Sequence, residues 1–172
     1  MAQVTWPARA AGPARSPARG PDPRRPRVIV FADSSAVVKL YADEPDHELV
    51  RGQGSLVVSA LARVEVPAAI WRKHRMGELD PADAAILVAA FEADYHGSAR
   101  DLPRFGVVAA TTPVLDAAAA LAGVHGLRAS DAVQLASAKA AAEAIPDCRT
   151  VAAFNDTLRT AAAKEGFALL PG

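Results

Sequence analysis

Three acidic residues far apart in the chain, Asp33, Glu65 and Asp131, stand where apolar runs end or helices begin, and Asn155 with Asp156 forms a fourth such point. Carboxylates drawn to one spot repel one another and take up protons. A hard divalent cation removes that conflict, and an all-oxygen donor set suits Mg²⁺ or Mn²⁺ with waters completing the octahedron. Such an ion lowers the pKa of a bound water and neutralises charge on a phosphoryl group under attack. Each acid also has a plain structural explanation. Asp33 and Asp131 are of the type that caps helices, and Glu65 reads equally as a surface glutamate paired with Arg63 or Arg72. Zinc is disfavoured: His47, His74, His96 and His125 lack paired spacing and read as surface or helix-end residues, and Cys148 is the lone cysteine.

The elements that must carry these acids follow from the hydrophobic pattern. Residues 27–32 (RVIVFA) and Ser55–Ser59 (SLVVS) read as buried parallel strands. A helix is expected over 34–43, with Pro45 as a break, and a second over 60–76, kinked near Pro67. Asp80-Pro81 and Thr112-Pro113 both read as a cap followed by proline, opening helices to about Tyr95 and His125, with Gly126 as a stop. Residues 105–110 read as a strand or a loop. Ser130 or Asp131 opens a helix to about Ala144. Residues 150–154 form a strand, 156–165 a helix and 167–170 a last strand. Strands alternating with helices imply an α/β fold with a mainly parallel sheet covered on both faces. Ligands in such sheets bind outside the carboxyl ends of the strands, where these acids stand.

The 172 residues, 51% hydrophobic, suffice for one domain with a real core. Residues 1–27 carry six arginines against one acid and six of the 13 prolines. They read as a disordered basic tail, a mis-assigned start upstream of Val28, or a basic arm for nucleic acid. The rest of the chain, 28–172, is the domain and is net acidic, a poor match for RNA unless cations intervene. No apolar run has membrane-spanning length and no apolar block follows the arginines as in a secretory signal. With one cysteine, the expectation is a cytoplasmic protein without membrane contact.

Taken in order, the segments FADSSAVVKLY (31–41), VSALARVEV (58–66), LRASDAVQLA (127–136) and FNDTLRTAAAKEG (154–166) resemble the PIN-domain family, and more narrowly the VapC toxins of type II toxin–antitoxin pairs. The resemblance runs from about Val28 to the C-terminus. It implies a PIN-like three-layer α/β/α sandwich, with metal-binding acids at the positions matching Asp33, Glu65 and Asp131 and a supporting hydroxyl at Ser34 or Ser35. The family's fourth acid falls at Asn155, so Asn155 through its amide oxygen, or Asp156 by a small shift, is the remaining candidate ligand. The implied activity is Mg²⁺- or Mn²⁺-dependent cleavage of RNA by an activated water, leaving a 5′-phosphate. The implied partners are a small antitoxin protein and a second copy of the chain in a homodimer.

Two rival readings stay open. A phosphatase or phospho-acceptor domain would also place an aspartate at Asp33, but the position two residues on is Ser35, and Val30, Phe31 and Ala32 supply no paired acids before it. A PIN-like, non-catalytic binding module is kept alive by Asn155. Trp71 and the run Arg72-Lys73-His74-Arg75 read as a solvated helix end, or as a contact for RNA or antitoxin.

Overall fold

The computed structural model describes residues 4–5, 28–98 and 101–172. In chain order the elements are β1 (Val4–Thr5), β2 (Ile29–Ala32), α1 (Ser34–Val38), α2 (His47–Arg51), β3 (Ser55–Ser59), α3 (Ala62–Arg75) and α4 (Pro81–His96). Then follow β4 (Phe105–Val108), α5 (Thr112–His125), α6 (Ala129–Ala144), β5 (Thr150–Ala152), α7 (Asp156–Lys164) and β6 (Ala168–Leu170).

The strands form one sheet in the order β1-β4-β3-β2-β5-β6. Every neighbouring pair is parallel except β1 with β4. The central strand β2 explains the arrangement. Its apolar IVFA run offers both faces to packing, and side chains alternate across it. Val30 and Ala32 join Leu56 and Val58 of β3 under α1, α3 and α4. Phe31 and Val57 point the other way, under α5, α6 and α7. Two apolar cores, one on each face of the sheet, make the three-layer α/β/α sandwich. Because β2, β3, β4 and β5 run parallel in register, they end on one edge, where Asp33, the start of α3 and the Phe154–Asn155 turn all lie. Among the described residues no helix is long and apolar enough to cross a membrane.

The structure differs from the sequence expectations mostly at element ends. The helix expected to reach residue 43 stops at Val38 and tightens into turns, with Leu40 N–H donating to the Val37 carbonyl and Tyr41 N–H to that of Val38. Past Pro45, Asp46 takes a left-handed conformation (φ 65°) and opens α2, a helix of five mostly polar residues with only Val50 buried, too short to leave a periodic signal. The α5 cap is Thr111 rather than Thr112, with Pro113 still in the first turn. Helix α6 starts at Ala129 with Arg128 as its cap residue, so Asp131 lies in the first turn and does not cap. Residues 105–108 are strand, and β5 ends at Ala152, two residues short of the expected end. Pro67 sits inside a continuous α3. Within the segment read as a tail, Val4 and Thr5 pair with Val108 and Val107; residues 1–3 and 6–27 lie outside the described residues.

Candidate active site

Asp33 follows β2 directly and caps α1. Its backbone N–H still donates to the Ala152 carbonyl (2.9 Å), one rung beyond the strand. Its Oδ2 accepts from the Ser35 amide (3.1 Å) and the Ser35 hydroxyl (2.6 Å). Capping and chemistry are therefore not exclusive at this position. Only 6% of Asp33 is exposed. Its carboxyl is pushed up to about 6, chiefly by burial, with the Glu65 charge adding to the rise and the Ser35 hydrogen bonds opposing it.

Glu65 enters from the first turn of α3. Its Oε2 accepts from the Ser34 hydroxyl (2.6 Å) and from the Gln134 side-chain amide (2.6 Å). Gln134 Nε2 also donates to Ser34 Oγ (3.0 Å). Gln134 is 1% exposed, and its Oε1 is buried without a hydrogen-bond partner. That orphan oxygen follows from the carboxylate: turning the amide over would aim oxygen at oxygen. A buried acceptor is left unsatisfied so that two donors can serve the site. Sequence reasoning assigned Gln134 no role. The available signal was its place three residues after Asp131, which puts both on one face of α6.

Asp131 is half-buried, and its Oδ1 accepts from Asn155 Nδ2 (3.0 Å). Asn155 caps α7, its Oδ1 accepting from the amides of Thr157 (3.0 Å) and Leu158 (3.4 Å). The amide oxygen expected to face a metal is thus occupied by the helix, and the nitrogen faces Asp131. Next to it, Phe154 N–H donates to Ser35 Oγ (3.0 Å). Two hydrogen-bonded routes therefore lead from α6 to the sheet edge: Asp131 to Asn155 and, by its neighbour Phe154, to Ser35 and Asp33; and Gln134 to Ser34 and Glu65. Asp156 is exposed and opens onto a different pocket with His125, Thr160 and Lys164.

Of the residues expected from sequence, Asp33, Glu65, Ser34 and Ser35 stand together, Asp131 and Asn155 bond each other and reach that group only by way of the Phe154 backbone next to Asn155, and Asp156 takes no part. Among the described residues none of the histidines bonds to this group: His47 bonds the Glu44 carbonyl, His74 the Leu79 carbonyl, His125 the Glu165 carboxylate, and the His96 ring packs on Tyr95. Among the described residues, no three of His, Cys, Asp and Glu form a ready-made metal cluster. The donor set still fits a hard, hydrated ion. Mg²⁺ is commonly held by one or two carboxylates and keeps several waters, and a buried aspartate beside a glutamate is where an added positive charge gains most.

No curated protein sequence matches the chain. The family model described as PIN domain matches residues 30–164, well over half the chain and all of the acids above. PIN domains are typically nucleases that act on RNA or other nucleic acid and generally use divalent metals. By that match, together with the mainly parallel sheet, the chain belongs to the PIN domain family.

Proposed function

We propose that the chain is a Mg²⁺- or Mn²⁺-dependent endoribonuclease and that it acts as the toxin of a toxin–antitoxin pair of the VapC type. The observation that carries the nuclease reading is the buried Asp33 beside the half-buried Glu65 at the sheet edge, ringed by the Ser34, Ser35 and Gln134 donors. Asp33 and Glu65 would hold the ion, with Asp131 supplying charge beside them. When bound, the ion would activate water and offset charge on the phosphodiester.

The chain's own residues have separable tasks. Ser35 orients the Asp33 carboxylate through two hydrogen bonds and fixes the Phe154 turn. Ser34 and Gln134 together fix the Glu65 carboxylate. Asn155 holds Asp131. A histidine pair has no part in this scheme, because the attacking group is water rather than the ribose 2′-hydroxyl. The toxin role, the antitoxin and the homodimer rest on the likeness of the four sequence segments.

One observation favours a second reading, a PIN domain that binds a protein partner without cutting RNA: the Asn155 oxygen is spent on α7, and among the described residues no fourth acid bonds to the group. Calorimetric titration with Mn²⁺, beside an assay on single-stranded RNA, separates the two. The nuclease reading expects one or more bound ions and metal-dependent cleavage, with both lost in Asp33→Ala and Asp131→Ala. Cleavage that survives Asp33→Ala, or a chain that takes up no Mn²⁺, would sink it. Growth arrest on expression, relieved by Asp33→Ala, is expected of a toxin.

A further inference from the structure

A pocket of about 260 Å³ opens beside the acids. It shares Ser35 and Phe154 with the site and is closed by Val38 and Lys39 of α1 and its following turn and by Ala69 and Arg72 of α3. Its position follows from helix geometry. Glu65, Ala69 and Arg72 are spaced four and three residues apart, so α3 presents them along one face. At 1.5 Å per residue, Arg72 stands about 10 Å along the axis from Glu65, with the small Ala69 leaving room between them.

The charge balance of this pocket is specific. Lys39 is 6% exposed, donates to Glu44 (2.9 Å) and to the Pro45 carbonyl (2.8 Å), and sits 4.2 Å from the Phe154 ring centroid. Lys73 pairs with the same Glu44 (2.6 Å) and with Glu78 (2.8 Å). Two lysines and two glutamates cancel. Arg72, exposed and without a carboxylate partner among the described residues, gives the pocket its net positive charge. Apolar walls, an aromatic edge and one uncommitted guanidinium next to a phosphodiester-cutting centre match one nucleotide: a base and sugar against carbon, a phosphate on arginine.

We propose that this pocket binds the nucleotide adjoining the phosphodiester to be cut, with its base and sugar against Val38, Ala69 and Phe154 and its phosphate on Arg72. The proposal rests on the nuclease reading for its substrate class, and it is tested apart from cleavage. The probe is a fluorescein-labelled single-stranded RNA decamer, bound in EDTA and followed by anisotropy over a range of salt concentrations. Arg72→Ala is expected to weaken binding about tenfold. It should also lower the slope of log affinity against log salt by about 0.7, the share of one phosphate contact on a single strand. Arg72→Lys should restore the slope, and Ala69→Phe, which fills the pocket, should weaken binding at least tenfold with the slope kept. Arg72 is exposed, so its variants are expected to melt with the parent protein; if Ala69→Phe does not fold, Arg72→Ala and Arg72→Glu decide the matter. Failure of the parent protein to bind the decamer, or an unchanged affinity and slope in Arg72→Ala, overturns the pocket assignment. Mn²⁺ uptake and RNA cleavage with both pocket variants indifferent would leave the nuclease reading and remove the pocket. Pocket-dependent RNA binding without Mn²⁺ uptake would keep the pocket and remove the metal nuclease.

Discussion

Asp33 is the residue at which folding and the proposed chemistry oppose each other. Its carboxyl has an ordinary value near 3.8 in the unfolded chain and about 6 in the fold. Between those values the folded state binds more protons than the unfolded one. The group's contribution to stability is therefore fully present below pH 3.8 and is lost as the pH rises through about 6. At neutral pH the ionised carboxylate costs the metal-free protein on the order of 3 kcal/mol. Asn keeps the shape and caps a helix as well as Asp. Asp33→Asn is thus expected to stabilise the metal-free protein by roughly 1–3 kcal/mol at pH 7.5 and to change little at pH 4. Melting curves at the two pH values check this, and a variant less stable than its parent at pH 7.5 would refute the account. The same titration predicts that Mn²⁺ affinity falls as the pH drops below about 6, since proton and metal compete for one carboxylate.

Each acid is delivered by a different element, and the elements were legible to different degrees. The β2 run and Ser55–Ser59 could be read because parallel strands buried on both faces are continuously apolar. Asp33 then followed from strand polarity alone. The start of α6 could not be read, because Arg128 caps it by backbone geometry with no side-chain hydrogen bond. The orientation of Asn155 was equally hidden, since composition does not say which end of an amide faces a helix. The structure makes that orientation testable. Asn155→Ala removes both the α7 cap and the donor to Asp131, and is expected to cost about 1–2 kcal/mol. Asn155→Asp keeps the cap but sets a carboxylate where an amide donor now meets Asp131 at 3.0 Å. It is expected to destabilise the metal-free protein through like-charge repulsion while tightening Mn²⁺ binding at least several-fold. Thermal melts with and without Mn²⁺ distinguish the two variants. A metal response in Asn155→Asp no stronger than in the parent would argue against Asp131 belonging to the ion's surroundings.

At the scale of the whole molecule, the site is where the two helical layers meet around the end of the sheet. Asp33 and Glu65 come from the layer of α1 and α3, whereas Asp131, Gln134 and Asn155 come from the side of α6 and α7. Gln134 already ties the layers by bonding Ser34 and Glu65. An ion held at this edge would bind the folded arrangement and have no equivalent site in the unfolded chain, where the three acids are 32 to 98 residues apart in sequence. Its binding energy therefore adds to the stability of both layers together. With Mn²⁺ at about 100 times its dissociation constant, the expected gain is about 2.7 kcal/mol. For a domain of this size that corresponds to a rise in Tm of roughly 5–10 °C. Calorimetry should show one transition moving upward as a unit, returning to its starting temperature when EDTA is added. In Asp33→Asn, where the repulsion is already relieved and a charged ligand is gone, the transition should start higher and move little. A shift of equal size in parent and variant would place the ion elsewhere on the acidic surface, and a split transition would show that the sheet edge does not couple the two cores.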